Sequence, residues 1–216
     1  MTTKSPTFNP TVKSVVTAIR QAKTDGTVRA AMRHIVPTDP ASDFRSAQAL
    51  YPFLSESGDG SYFKSELAVA TALYLWATTS SPSYRSTSLT LGGAAGDAAD
   101  DAAPKRRKTF AHSMRELAIG RNGVEAGRMT RLSPGVVRRV AAAMASKSLT
   151  ELVPRLRSLC EAAEREGVAI DYAQLAADLF WAIKDGGKTL DTTALARWNK
   201  NFWAMSSEGR KTSTVS

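Results

Sequence analysis

SLTELVPRLRSLCEAAEREGVAIDYAQLAADLFWAIKDGG, residues 148–187, holds two complete helix signatures end to end. Ser148 with Glu151 three residues on is a capping box, in which the hydroxyl serves one orphan N–H and the carboxylate reaches back for another. Leu149, Leu152, Val153, Leu156, Leu159 and Cys160 then recur at the spacing of a single helical face, and Gly167 ends the run. Asp171 can cap a second helix. Along it Tyr172, Leu175, Ala176, Leu179, Phe180 and Ile183 form another buried face, and the DGG at 185–187 stops it.

The same grammar extends in both directions. After 187, Asp191 can start a last helix carrying Leu195, Trp198 and Phe202, followed from 206 to 216 by a polar tail expected to be disordered. Before 148, Ser133 and Pro134 read as an N-cap with proline at the first helical position. Nearer the start, Val12, Val15, Val16 and Ile19 share a face, and TDG at 24–26 separates that helix from one over 28–36. Further helices are expected over about 44–54 and 62–77. No stretch alternates with period two, so no sheet is predicted. Residues 81–104, rich in Ser, Gly, Ala and Asp without apolar period, read as a long flexible linker. The expectation is an all-α chain of two helical lobes: an N-terminal lobe over 1–80 and a C-terminal bundle over 105–205.

One cysteine, Cys160, excludes an intrachain disulfide, and the sequence shows no zinc-binding spacing. Its place on an apolar stripe suits an inert buried thiol. The start of the chain has no apolar signal region. The longest greasy run, LAVATALYLWA at 67–77, is about half the length that a membrane span needs. A cytoplasmic protein is therefore expected, with no membrane partner. His34 and His112 have no nucleophile or carboxylate constellation around them, and Gly92, Gly93 and Gly96 lack the Lys-Ser/Thr of a phosphate-binding loop. Asp97, Asp100 and Asp101 read as solvated linker charge rather than metal ligands. No enzyme, cofactor or metal is expected. Trp76, Trp181, Trp198 and Trp203 lie beside Leu and Phe at helical spacing and read as core rather than base-stacking platforms.

Charge supplies the functional clue. The chain carries a net +9 over 216 residues, and residues 104–139 alone hold ten Lys or Arg against Glu116 and Glu125. Such concentration points to a polyanion, most simply nucleic acid. Lys105, Arg106, Arg107 and Lys108 form a short basic run, which by itself resembles a nuclear localisation signal and is weak evidence. Arg121, Arg128 and Arg131 are interleaved with helix-forming apolar residues, and Arg128 and Arg131 share a face. Guanidiniums held on a folded surface suit phosphate oxygens, a contact to backbone and shape rather than sequence.

Several of these segments also resemble one family. FAHSMRELAIGR, RMTRL, the 148–187 stretch and ALARWNKNFW, with AAMRHIVPTDP, AQALYPFLSES and SYFKSELAVATALYLWA before the linker, are similar to the CasB family, the small subunit of the type I-E CRISPR complex Cascade. The resemblance covers about residues 28–205, with the linker as an enlarged insertion. It implies a non-catalytic all-helical subunit, present as two copies beside the backbone and large subunits of a crRNA-guided complex. There it would help to hold target DNA and the displaced strand of the R-loop. By matching segments it implies nucleic-acid contacts for Arg33, Lys64, Arg115, Arg121, Arg128, Arg155 and Arg157. Lys105 to Lys108 and Arg131 are added from charge and spacing. Two other readings fit the charge: a stand-alone helical DNA-binding regulator, and an adaptor docking acidic protein partners.

Loop closure depends weakly on length, so deleting most of residues 81–103 is expected to lower the melting temperature by only a few degrees. Thermal denaturation of the deletion variant checks this; a drop above about 10 °C would mean that the segment packs.

Overall fold

A computed structural model describes residues 10–54, 62–79, 109–120 and 132–203. The segment 81–104 and the tail 206–216 lie outside the described residues. Nine α-helices occur among those described: α1 Pro10–Thr24, α2 Gly26–Met32, α3 Phe44–Leu50, α4 Tyr62–Thr79, α5 Phe110–Ile119, α6 Pro134–Met144, α7 Leu149–Arg165, α8 Tyr172–Ala182 and α9 Thr192–Trp203. The all-α expectation holds, apart from one small hairpin.

α4 occupies the centre. From Leu67 to Thr79 it carries no charge, and every residue from Ser65 to Ala77 except Tyr74 is buried. A helix that is apolar on all sides must be enclosed. α1, α2, α7 and α8 enclose it, and α1 also packs on α8. One continuous set of buried side chains runs from Val15 to Phe202. The helices before and after residues 80–108 thus share a core. Polar bonds reinforce the junction: the Thr79 and Tyr172 hydroxyls are 2.7 Å apart, and Arg157 donates to the Tyr74 hydroxyl at 3.1 Å.

The caps behave largely as their chemistry dictates. Ser148 Oγ accepts from the Glu151 N–H at 3.3 Å while the Glu151 carboxylate accepts from the Lys147 N–H at 3.1 Å, and Asp171 accepts from Ala173 and Gln174 at 3.0 Å each. Asp25 and Asp43 cap α2 and α3. Ser133 sits at the N-cap position of α6 without a side-chain capping bond.

The expectation of no sheet is corrected at 183–190. There β1 (Ile183–Lys184) pairs antiparallel with β2 (Thr189–Leu190) around a tight turn. Ile183, assigned by spacing to the α8 face, is buried but belongs to β1. Tertiary contacts hold the hairpin: Leu190 N–H donates to the Lys147 carbonyl at 3.0 Å, and a Cβ on Gly187, which has φ +83°, would stand 3.2 Å from Leu149.

Asp178, on the side of α8 facing α9, accepts from Gln174 Nε2 at 2.9 Å and from Trp198 Nε1 at 3.1 Å. Burial is the largest influence on its carboxyl and raises its pKa from 3.8 to about 6, against those two hydrogen bonds and nearby Arg197. A raised carboxyl pKa favours the protonated folded state, so this contribution is full below about pH 4 and is lost as pH rises through 6. The Lys184 ammonium holds Asp191 down at about 2, a contribution lost in the opposite direction as pH falls through 2. Melting temperature is therefore expected to rise between pH 7 and about 4.5, with a gain of about 2 kcal/mol over that range at roughly 1.4 kcal/mol per pKa unit. Asp178→Asn should flatten the profile over that range, and a wild-type profile already flat there would contradict the assignment.

Candidate nucleic-acid interface

α5 ends at Gly120, whose φ of +72° turns the chain away while its N–H still bonds the Glu116 carbonyl. The chain returns at Leu132, and Ser133 N–H donates to the Ala118 carbonyl at 2.8 Å, pinning the start of α6 to the end of α5. The last turn of α7 completes a cleft of about 470 Å³, lined by Leu117 to Gly120, Ser133, Val136, Arg139, Ala162, Arg165 and Glu166. The lining combines apolar Leu117, Ala118, Ile119, Val136 and Ala162 with two arginines and one glutamate. Arg139 spends one N–H on the Gly135 carbonyl at 3.2 Å, and among the described residues no carboxylate pairs with Arg138, Arg139 or Arg165. The first turn of α6 has no side-chain cap, and the helix dipole adds partial positive charge at that end.

The residues expected to bind nucleic acid are not gathered in one place. Lys105, Arg106, Arg107, Lys108, Arg121, Arg128 and Arg131 lie outside the described residues; of the residues that flank 121–131, Gly120 and Ser133 line this cleft. Arg115 is half-buried on α5. Arg33 donates through Nε to the Ala77 carbonyl at 3.1 Å, joining the end of α2 to the last turns of α4. Arg155 donates to the Ala142 carbonyl at 2.7 Å and to Ser146 Oγ at 2.8 Å, closing the end of α6. Arg157 is held by Glu161 at 2.9 Å and lies 6.0 Å from the Tyr74 ring centroid. Lys64 is exposed in the first turn of α4. Gly187 touches both Leu67 and Leu149, so this turn lies beside the start of α7, about 20 Å along that helix from the cleft at 1.5 Å per residue.

Arg138, Arg139 and Arg165 were not singled out from the sequence as contacts. The charge count over 104–139 includes the first two, and their place just after the Pro134 helix start was the available signal. Arg165 needed the packing of α7 against α5 and α6. The tryptophans divide: Trp76 and Trp198 are buried, while Trp181 and Trp203 are 47% and 54% exposed, against the expectation of core. Cys160 is buried, and desolvation pushes its thiol up to about 12, so it stays protonated and unreactive near neutrality. No group of His, Cys, Asp or Glu among the described residues could hold a metal, and no helix there is long and apolar enough to cross a membrane.

The fold and the cleft define a helical protein, with one small hairpin, whose recess between α5, α6 and α7 carries Arg139 and Arg165. The profile of CRISPR-associated protein Cse2 matches residues 28–203, and the chain belongs to that family. The crystal structure of CasB from Thermus thermophilus superposes with a TM-score of 0.55 at 20% identity, covering 91% of this chain and 99% of that one. CasB from Thermobifida fusca gives 0.53 at 15%, covering 90% and 98%. These two likenesses establish the shared helical fold. Among curated proteins there is no match. Family membership supports a small subunit of the CRISPR complex Cascade, as the resemblance in the sequence implied.

Arg155→Ala is expected to act mainly on stability, because it frees the Ala142 carbonyl and the Ser146 hydroxyl. The bonds are partly exposed, so the cost should be about 1 kcal/mol. Thermal melting together with single-stranded DNA titration checks this: unchanged melting with binding weakened fivefold or more would assign Arg155 to the ligand instead.

Proposed function

We propose that this chain is the non-catalytic small subunit of a crRNA-guided type I-E Cascade complex, and that its basic α5–α7 end grips nucleic-acid backbone. Two copies would lie side by side with the backbone and large subunits, in the cytoplasm. They would hold target DNA and the displaced strand of the R-loop while guide pairing reads sequence. The supporting observation is the cleft: Arg139 and Arg165 without carboxylate partners among the described residues, beside Gly120 and Ser133, between which the sequence carries Arg121, Arg128 and Arg131. Guanidiniums not satisfied by the protein are available to phosphate oxygens. The chemistry required is electrostatic and indifferent to base identity, as a displaced strand of arbitrary sequence demands.

Two triple variants test the reading: Arg138, Arg139 and Arg165 to Ala, and Arg121, Arg128 and Arg131 to Ala. Each should weaken binding of single-stranded DNA of any sequence and flatten the slope of log affinity against log salt by roughly two, since each phosphate contact contributes about 0.7. Circular dichroism should be nearly unchanged, because alanine is at least as good a helix former as arginine. Weaker binding with an unaltered slope would contradict phosphate contact. Unchanged DNA binding with failure to join the complex would mean that these arginines face acidic protein.

A further inference from the structure

The recess between α5, α6 and α7 holds more than a grip on backbone requires. A site for phosphates alone wants cations, gains nothing from apolar walls and is weakened by a carboxylate. Here Leu117, Val136 and Ala162, all buried, stand with half-buried Ile119, and Glu166 lines the recess together with Arg139 and Arg165, all three exposed. The volume of about 470 Å³ falls within the roughly 300–1,000 Å³ of small-molecule sites. Arg139 lies along the first turn of α6: its Nε donates to the Gly135 carbonyl at 3.2 Å, and a Cβ on Gly135 would stand 4.0 Å from both Arg139 Nη2 and Ser133 Oγ. A guanidinium has five N–H donors, and that bond uses one.

One group matches all of these features. The face of a nucleobase suits apolar walls, and its pairing edge suits a carboxylate, because each base carries at least one N–H there and a carboxylate has room for several donors. Stacking and pairing cover both in a duplex, whereas a single strand leaves them available. An apolar side chain from a protein partner would fill the walls but would desolvate two guanidiniums and a carboxylate without pairing them. We infer that the recess seats one unstacked base of a single strand, its face on Leu117, Ile119 and Val136, its pairing edge at Glu166, and its flanking phosphates on Arg139 and Arg165. The inference rests on the nucleic-acid reading above and adds that the strand is unpaired where it crosses α5, α6 and α7. Since every base offers an N–H, the seat accepts any sequence.

The test titrates the full chain with oligothymidine and with a fully abasic strand of the same length. Wild type should bind oligothymidine about fivefold tighter, from the apolar area that one base buries. Ala162→Leu fills the recess and should lower oligothymidine affinity to the abasic level, leaving abasic affinity and both salt slopes unchanged. Arg139→Ala combined with Arg165→Ala should weaken both strands alike. Equal wild-type affinity for the two strands would overturn the base seat, as would an Ala162→Leu effect on both strands or on neither. If Ala162→Leu melts more than about 5 °C below wild type, Ile119→Ser, at a half-buried position, makes the same comparison, and its failure to narrow the difference would overturn the seat. Ala162→Leu that binds DNA normally but no longer joins guide-loaded Cascade would overturn it in favour of a protein side chain. The nucleic-acid reading itself falls separately, if the double arginine variant binds both strands like wild type.

Discussion

An uncharged helix cannot stand at a surface, and α4 is uncharged from Leu67 to Thr79. Burying such a helix is favourable by about 25 cal/mol per Å² of apolar area, but only if neighbours cover every side. The chain supplies them from both directions: α1 and α2 precede α4, and α7 and α8 follow from beyond residue 108. Much else follows from that enclosure. Arg33 can reach the Ala77 carbonyl because α2 lies against α4, and Arg157 can reach Tyr74 because α7 does. The cleft exists because α7, held along α4, extends its last turn beside the ends of α5 and α6.

The helices were legible because their signals are local. A cap such as Asp171 and a stripe such as 172, 175, 176, 179 and 180 need only a few neighbouring residues to be read. The hairpin was not, since its determinants are remote: the Lys147 carbonyl, and the approach of Leu149 and Leu67 that leaves no room for a side chain at Gly187. The tryptophans divide because Trp198 falls on the stripe with Leu195 and Phe202, while Trp181 lies off the buried 172, 175, 176, 179 and 180 stripe of α8 and is exposed.

The basic end was legible as a concentration of charge, but the tasks of individual arginines were not. Arg33, Arg155 and Arg157 find acceptors 44, 13 and 83 residues away, and no spacing rule anticipates such pairs. An arginine engaged within its own protein has fewer N–H groups to offer a ligand. Arg138, Arg139 and Arg165, without carboxylate partners among the described residues, are better placed to offer theirs. Two features of the described surface thus lie on different elements: the recess made by α5, α6 and α7, and the exposed Phe44 on α3, which packs on α2.

The most direct measurement is photocrosslinking in the assembled, target-bound complex, with a crosslinker at Ala141 on the exposed side of α6. The account predicts a covalent adduct to a DNA strand that persists when the target sequence is changed. Crosslinks to protein alone would contradict the assignment of this end to nucleic acid.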